Sequence, residues 1–306
     1  MISGKKTIVF KMHRSKRTLK NAAGAALPAG STILKAVLAE TANPHQNAGN
    51  LASMILNDMG LTIYLFRLIN SAFYSSSRSG IISMRYVVVL LGIDNVARAL
   101  RKIPVIPAKK DANLWLLRFI SSRAVLASHF ALAVSEKLSL RFLEPEEARV
   151  CTMMRPFGLL SLWCAYPDQF AAIYDSATRT ISIERYKRIS GWSPPGLGYE
   201  LARLWNLPRA IRIVICPGQF NLKRISRREA LLLSIAVWSS DYVDGSHQTG
   251  SKAWLKQIRS RLEEDLGLPW KTFSKMVPGV LDRFQKELPE DFALLREEGI
   301  IEMLPV

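Results

Sequence analysis

LFRLINSAFYSSSRSGIISMRYVVVLLG, residues 65–92, is the stretch on which the fold turns. Leu61, Tyr64, Leu65 and Leu68 open a helical run that leads into Asn70-Ser71-Ala72-Phe73-Tyr74. Small Ser71 and Ala72 let helices approach closely. Phe73 and Tyr74 supply aromatic burial, and the Tyr hydroxyl needs a polar partner. Asn70 can cap a helix or bind backbone. For all five, packing is the preferred reading over ligand contact. Further on, Ser83 is placed to cap a helix carrying Val87, Val88 and Leu91, and Gly92 interrupts it.

The same three- and four-residue spacing extends outward in both directions. Ile33, Leu34, Val37 and Leu38 share a face, and Asn43-Pro44 breaks that helix. Asn50 is expected to cap the next helix, with Leu51, Met54 and Ile55 facing inward, and Gly60 to stop it. Residues 115–138 form a long amphipathic pattern. Residues 144–154 form another, with Pro145 suited to a first helical turn. Beyond residue 222, helical patterns cover 226–242, 253–266 and 270–295, the first two separated by a polar stretch over 244–252. Alternating strand patterns are scarce, and Asp244-Gly245 is a weak hairpin signal. The expected class is all-α, with no internal repeat. Three parts are expected: a basic flexible arm over 1–26, a helical domain over 27–222, and a C-terminal helical extension over 223–306 packed on it.

Composition limits the function. The chain has 306 residues, 49% of them hydrophobic, which supports a substantial core and excludes wholesale disorder. Cys151, Cys164 and Cys216 are too few and scattered for a disulfide framework or zinc ribbon, and read as thiols in a reducing cytoplasm. The apolar runs fall short of the roughly 20 residues of a membrane span, so a cytoplasmic protein without a transmembrane segment is expected. The formal net charge of +17 favours an anionic partner. Lys5, Lys6, Lys11, Arg14, Lys16, Arg17 and Lys20 concentrate charge in the arm.

Four segments together resemble the HDOD family, the HD-related output domain of bacterial signalling proteins. They are Leu27-Pro28-Ala29; Asn70-Ser71-Ala72-Phe73-Tyr74; the helix from Ile82-Ser83 to Gly92; and Gly198-Tyr199-Glu200-Leu201 through Trp205-Asn206-Leu207-Pro208. The pentapeptide is the most specific. The resemblance spans about residues 25–243 and implies an HD-domain-like helical bundle (HDOD) with additional C-terminal helices. It also implies a non-catalytic signal-transduction module that acts by binding protein or ligand.

Catalytic HD phosphohydrolases hold divalent metal through His and Asp, because imidazole and carboxylate bind the ion that activates water. The resemblance places the corresponding positions at Ser121, Arg155-Pro156, Pro194 and Gly218-Gln219, and none of these residues is a ligand. Arg155 is a permanent cation that cannot hold a metal ion. It is read as paired with a buried acid in preference to an anionic ligand. The four histidines are His13, His45, His129 and His247. His129 lies two helical turns beyond Ser121 and is read as packed or surface rather than facing the cleft. No catalytic residue, metal or cofactor is therefore assigned, and no enzyme activity is expected.

No phosphate loop or nucleophile elbow is present. Arg185, Lys187 and Arg188, beside Tyr186, form one basic cluster. Arg209 and Arg212 with Lys223, Arg224, Arg227 and Arg228 form another. Together with Arg155 these are the possible anion-binding residues. A solvated face is preferred for any single cluster. The expected partner is a protein in a signalling pathway; the alternative is nucleic acid or another polyanion bound by the arm and the Arg-rich clusters.

Overall fold

The computed structural model describes residues 15–70, 81–107, 111–178, 180–248 and 252–305. Ser71, Ala72, Phe73 and Tyr74 lie outside the described residues, as do residues 1–14. The class is all-α: the described strands are β1 (Tyr174–Asp175) and β2 (Thr180–Ile181), a short antiparallel hairpin.

Residues 15–24, expected within a flexible arm, form helix α1. Thr18 and Ala22 are fully buried. Thr18 donates to the Ser190 carbonyl at 2.8 Å, and the Trp192 indole donates to the Ser15 carbonyl at 2.9 Å. Small residues on one face, Thr18, Ala22 and Ala23, let the helix seat against the 190–192 turn. Charge count alone hid that face.

Then follow α2 (Ser31–Thr41), α3 (Ala48–Ile55), α4 (Met59–Ile69), α5 (Met84–Leu91) and α6 (Ile93–Leu100). Two expected boundaries move. Asn47, not Asn50, caps α3, its side chain accepting from the Asn50 amide. Gly60 does not stop a helix but lies in the first turn of α4, which Asp58 caps. There a Cβ would stand 2.5 Å from the Pro28 carbonyl oxygen, so glycine lets α4 cross the Leu27-Pro28-Ala29 segment. Ser83 caps α5 as expected, and Gly92 turns the chain into α6 at φ +76°.

The central helix is α7 (Ala112–Leu138), capped by Asp111, with most of its length buried. Among the described residues it is the one helix with the length and apolar composition of a membrane span; 78% of that window is buried inside the fold. The bent pair α3–α4 passes the same test only as a span broken by 120°. Against α7 pack α8 (Pro145–Met153) and α9 (Phe157–Ala165); α11 (Pro194–Leu204) lies on α9, between α10 (Ile183–Ser190) and α12 (Arg209–Ile215), and α12 also meets α8.

The C-terminal helices are α13 (Arg227–Gln248), α14 (Lys252–Glu264), α15 (Trp270–Glu287) and α16 (Pro289–Glu297). Helix α13 runs on to Gln248 through part of the expected polar separator. The expected single segment over 270–295 is two helices, broken at Pro289, whose ring cannot continue α15. Phe130 of α7 meets Tyr242 of α13 and Phe273 of α15 at ring separations of 4.9 and 6.0 Å. Trp238 stacks on Tyr242 at 5.3 Å. One hydrophobic core thus runs from Ala22 to Leu304.

Candidate functional site

A cleft of about 340 Å³ opens where α7, the α8–α9 turn, β2, and the starts of α10 and α11 meet α13. Helix α7 supplies Ile120, Arg123, Ala124 and Ala127. The turn supplies Arg155 and Pro156, with Leu159 from α9. Ile181, Ile183, Pro194 and Pro195 form the far wall, and Ser240 and Asp244 of α13 close it. Three of the positions singled out from the sequence, Arg155, Pro156 and Pro194, therefore share one cavity. Ser121 sits on α7 beside the lining residue Ile120 and does not itself line the cleft. Gly218 and Gln219 form a 3-10 turn, Pro217–Gln219, away from the lining.

Two glycines draw the walls together. A Cβ on Gly158 would lie 1.7 Å from the Pro194 carbonyl oxygen, and one on Gly198 would lie 2.8 Å from the Gly158 Cα. Helices α9 and α11 thus pack backbone to backbone, which sets Pro156 opposite Pro194. Tyr186 fixes the crossing from outside by donating to the Gly158 carbonyl. Trp205 packs on Phe157 at 5.3 Å, with the Arg67 guanidinium 4.7 Å above its ring. Asn70 at the end of α4 donates to the Phe66 carbonyl, and Pro208 leads into α12. Each of these described motif residues thus makes contacts within the fold.

The charges of the cleft do not balance. Arg123 pairs with Asp244 at 2.5 Å and covers the Phe119 ring at 5.1 Å. Asp241, one helical turn back, pairs with Arg261 at 2.7 Å. Arg155 was expected to pair with a buried acid. Among the described residues no carboxylate lies within 4 Å of it, because the two nearest in charge, Asp241 and Asp244, are held by other arginines. Desolvation lowers its pKa, the carboxylates of Asp241 and Asp244 partly offset this, and Arg261 adds to it. Sequence reasoning missed Arg123, Asp241, Asp244 and Arg261. Arg123, one of two arginines within the apolar run of α7, was the available signal.

The donor set does not suit a divalent metal. Arg155 and Pro156, where the resemblance places the His-Asp pair, offer no ligand, and among the described residues no group of three or more His, Cys, Asp and Glu could hold an ion. His129 is a buried, packed residue and does not line the cleft. Its Nε2 lies 3.2 Å from both Asn57 Oδ1 and Arg149 Nη2. Burial, then the Arg149 charge, push the imidazole well below its ordinary pKa, so it is neutral at pH 7. Arg149, pushed down to about 10 by desolvation, also donates to the Leu56 carbonyl and to Asn57.

Half of the proposed anion-binding arginines already have acids. Arg185 pairs with Asp175, Arg188 with Glu184, Arg209 with Glu229, and Arg228 with Glu147. Glu229 and Ser226 also form a reciprocal capping box on α13, so Arg209 fastens α12 to α13. Arg227 lies over the Phe142 ring at 5.1 Å. Lys187, Arg212, Lys223 and Arg224 form no ion pair among the described residues, and Lys223 and Arg224 are exposed.

Comparison with known proteins bears on the whole arrangement. A model of the HDOD domain matches residues 27–216. A structure of the MmoQ response regulator from Methylococcus capsulatus str. Bath superposes with TM-score 0.61 at 18% identity, covering 82% of this chain and 97% of that one. A virulence factor from Campylobacter jejuni subsp. jejuni superposes with TM-score 0.64 at 16% identity, covering 93% and 96%. At these identities the likeness is one of fold. No curated protein matches the chain.

Proposed function

Since the chain belongs to the HDOD domain family, we propose that it is a regulatory signalling module that recognises a ligand or protein partner and catalyses no hydrolysis. The observation that carries this reading is the Arg155-Pro156 pair in the wall of a preformed cleft. A guanidinium there repels a divalent cation, and among the described residues no cluster of three or more imidazoles, thiols and carboxylates stands against it, Asp241 and Asp244 being paired with arginines. Without a metal, water at that place has no Lewis acid to lower its pKa. What remains is a shaped, mostly apolar cavity reached by several helices, a form suited to recognition. The named role of a similar fold, the MmoQ response regulator, agrees with signalling. A cytoplasmic location and a protein partner in a signalling pathway belong to the same proposal.

The test is turnover. Purified chain supplied with Mn²⁺ or Mg²⁺ should hydrolyse neither bis-p-nitrophenyl phosphate nor nucleoside phosphates above the metal-only rate. Turnover that chelation abolishes would overturn the reading.

A second reading, polyanion binding, rests on the net charge of +17 and on the exposed run 221–224 bearing Lys223 and Arg224. It requires binding to DNA or RNA that weakens steeply with salt. The ion pairs at Arg185, Arg188, Arg209 and Arg228 weaken it, because those cations are already partnered.

A further inference from the structure

The geometry points to the cleft as a binding site for a small organic monoanion, an apolar body carrying a single carboxylate-like head that pairs with Arg155. This deepens the recognition reading and rests on it. Three guanidiniums, Arg123, Arg155 and Arg261, stand against two carboxylates, Asp241 and Asp244. Each carboxylate is bound to an arginine other than Arg155. One positive charge is left over, and it lies on the cleft wall rather than at the surface.

An unpaired charge in a partly desolvated place is costly, and the cost falls when a counter-charge arrives. One negative charge completes the balance; a doubly charged head would leave an excess of the opposite sign against Asp244. A planar carboxylate also matches the guanidinium fork, which can donate two parallel hydrogen bonds.

The rest of the wall selects the body. Ile120, Leu159, Ile181 and Ile183 present aliphatic surface, and Pro156 and Pro194 bring none of the amide hydrogens that a phosphate-rich ligand would seek. The volume of about 340 Å³ lies at the small end of ligand pockets. A long nucleic-acid strand or folded protein does not fit inside it.

The full chain is tested by calorimetry with octanoate, octan-1-ol and inorganic phosphate as probes, alongside Arg155→Met and Arg155→Lys. Octanoate should bind wild type and raise its unfolding temperature. Octanol and phosphate alone should each bind more weakly. Arg155→Met, which keeps the stem volume and removes the charge, should lose octanoate affinity by about tenfold or more, with octanol binding unchanged. Arg155→Lys keeps the charge without the fork and should fall between, which separates a charge effect from misfolding. Equal octanoate affinity in wild type and Arg155→Met would overturn the proposal, as would octanoate binding no tighter than octanol. If neither octanoate binding nor hydrolysis is found, the monoanion site fails while recognition without catalysis stands. If metal-dependent hydrolysis is found, that broader reading fails as well.

Discussion

Asp58 accepts from the Gly30 amide at 2.7 Å and from the Leu61 amide at 2.8 Å, so one carboxylate ties the Gly30 segment to the start of α4. Desolvation outweighs these bonds, and with the nearby Asp291 charge it raises the pKa from 3.8 to about 6. Between those values the folded chain keeps a proton that the unfolded chain has lost. This contribution is present at low pH and disappears as pH rises through about 6. Asp291, raised mainly by its own burial, acts in the same direction. Asp58→Asn should therefore flatten the fall in stability between pH 4 and 6.5, by roughly 2 kcal/mol. Urea unfolding midpoints measured across that range check it, and parallel profiles for the two proteins would count against it. At this scale the sequence was a partial guide. It singled out Arg155, which lines the cleft, but not that Asp241 and Asp244 would be held elsewhere. Those pairings join residues on different helices, and spacing carries no record of them.

Helix crossings decide where the cleft walls stand. Gly158 and Gly198 leave no room for a methyl group between α9 and α11. Gly158→Ala should lower stability by about 1–3 kcal/mol through overpacking. Gly279→Ala, in α15 where a Cβ meets nothing within 4 Å, should instead raise it by roughly 0.5–1 kcal/mol. Chemical denaturation of both variants provides the comparison, and a shift of the same sign in both would contradict the packing argument. Helix existence was readable wherever apolar residues recur at three and four, as in α5, α7 and α8. Boundaries were less so, because several side chains compete to cap. Asn47 captured the Asn50 amide, and Asp58 carried α4 across Gly60. The helix over 15–24 escaped notice because its buried face is Thr18, Ala22 and Ala23, too small to stand out among lysines and arginines.

The molecule as a whole shares one core between the family-like helices and those beyond residue 222. Phe130, Trp238, Tyr242 and Phe273 pack together, and the Asn57 amide donates to Glu287 at 3.0 Å. Unfolding of the full chain should then be a single cooperative transition by both far-ultraviolet dichroism and tryptophan fluorescence. Two separate midpoints, with the tryptophan signal changing first, would mean that the C-terminal helices are an independent unit. The same packing places Asp241 and Asp244 of α13 beside the cleft, so that its charge balance depends on helices outside the family-matched region.

The central claim concerns what the wall bearing Arg155 can hold. Its most direct test is the metal content of the purified chain after equilibration with Mn²⁺ or Fe²⁺ and removal of free ion by gel filtration. The account predicts far less than one ion per chain. One tightly held ion per chain, retained by wild type and lost when cleft residues are substituted, would contradict it.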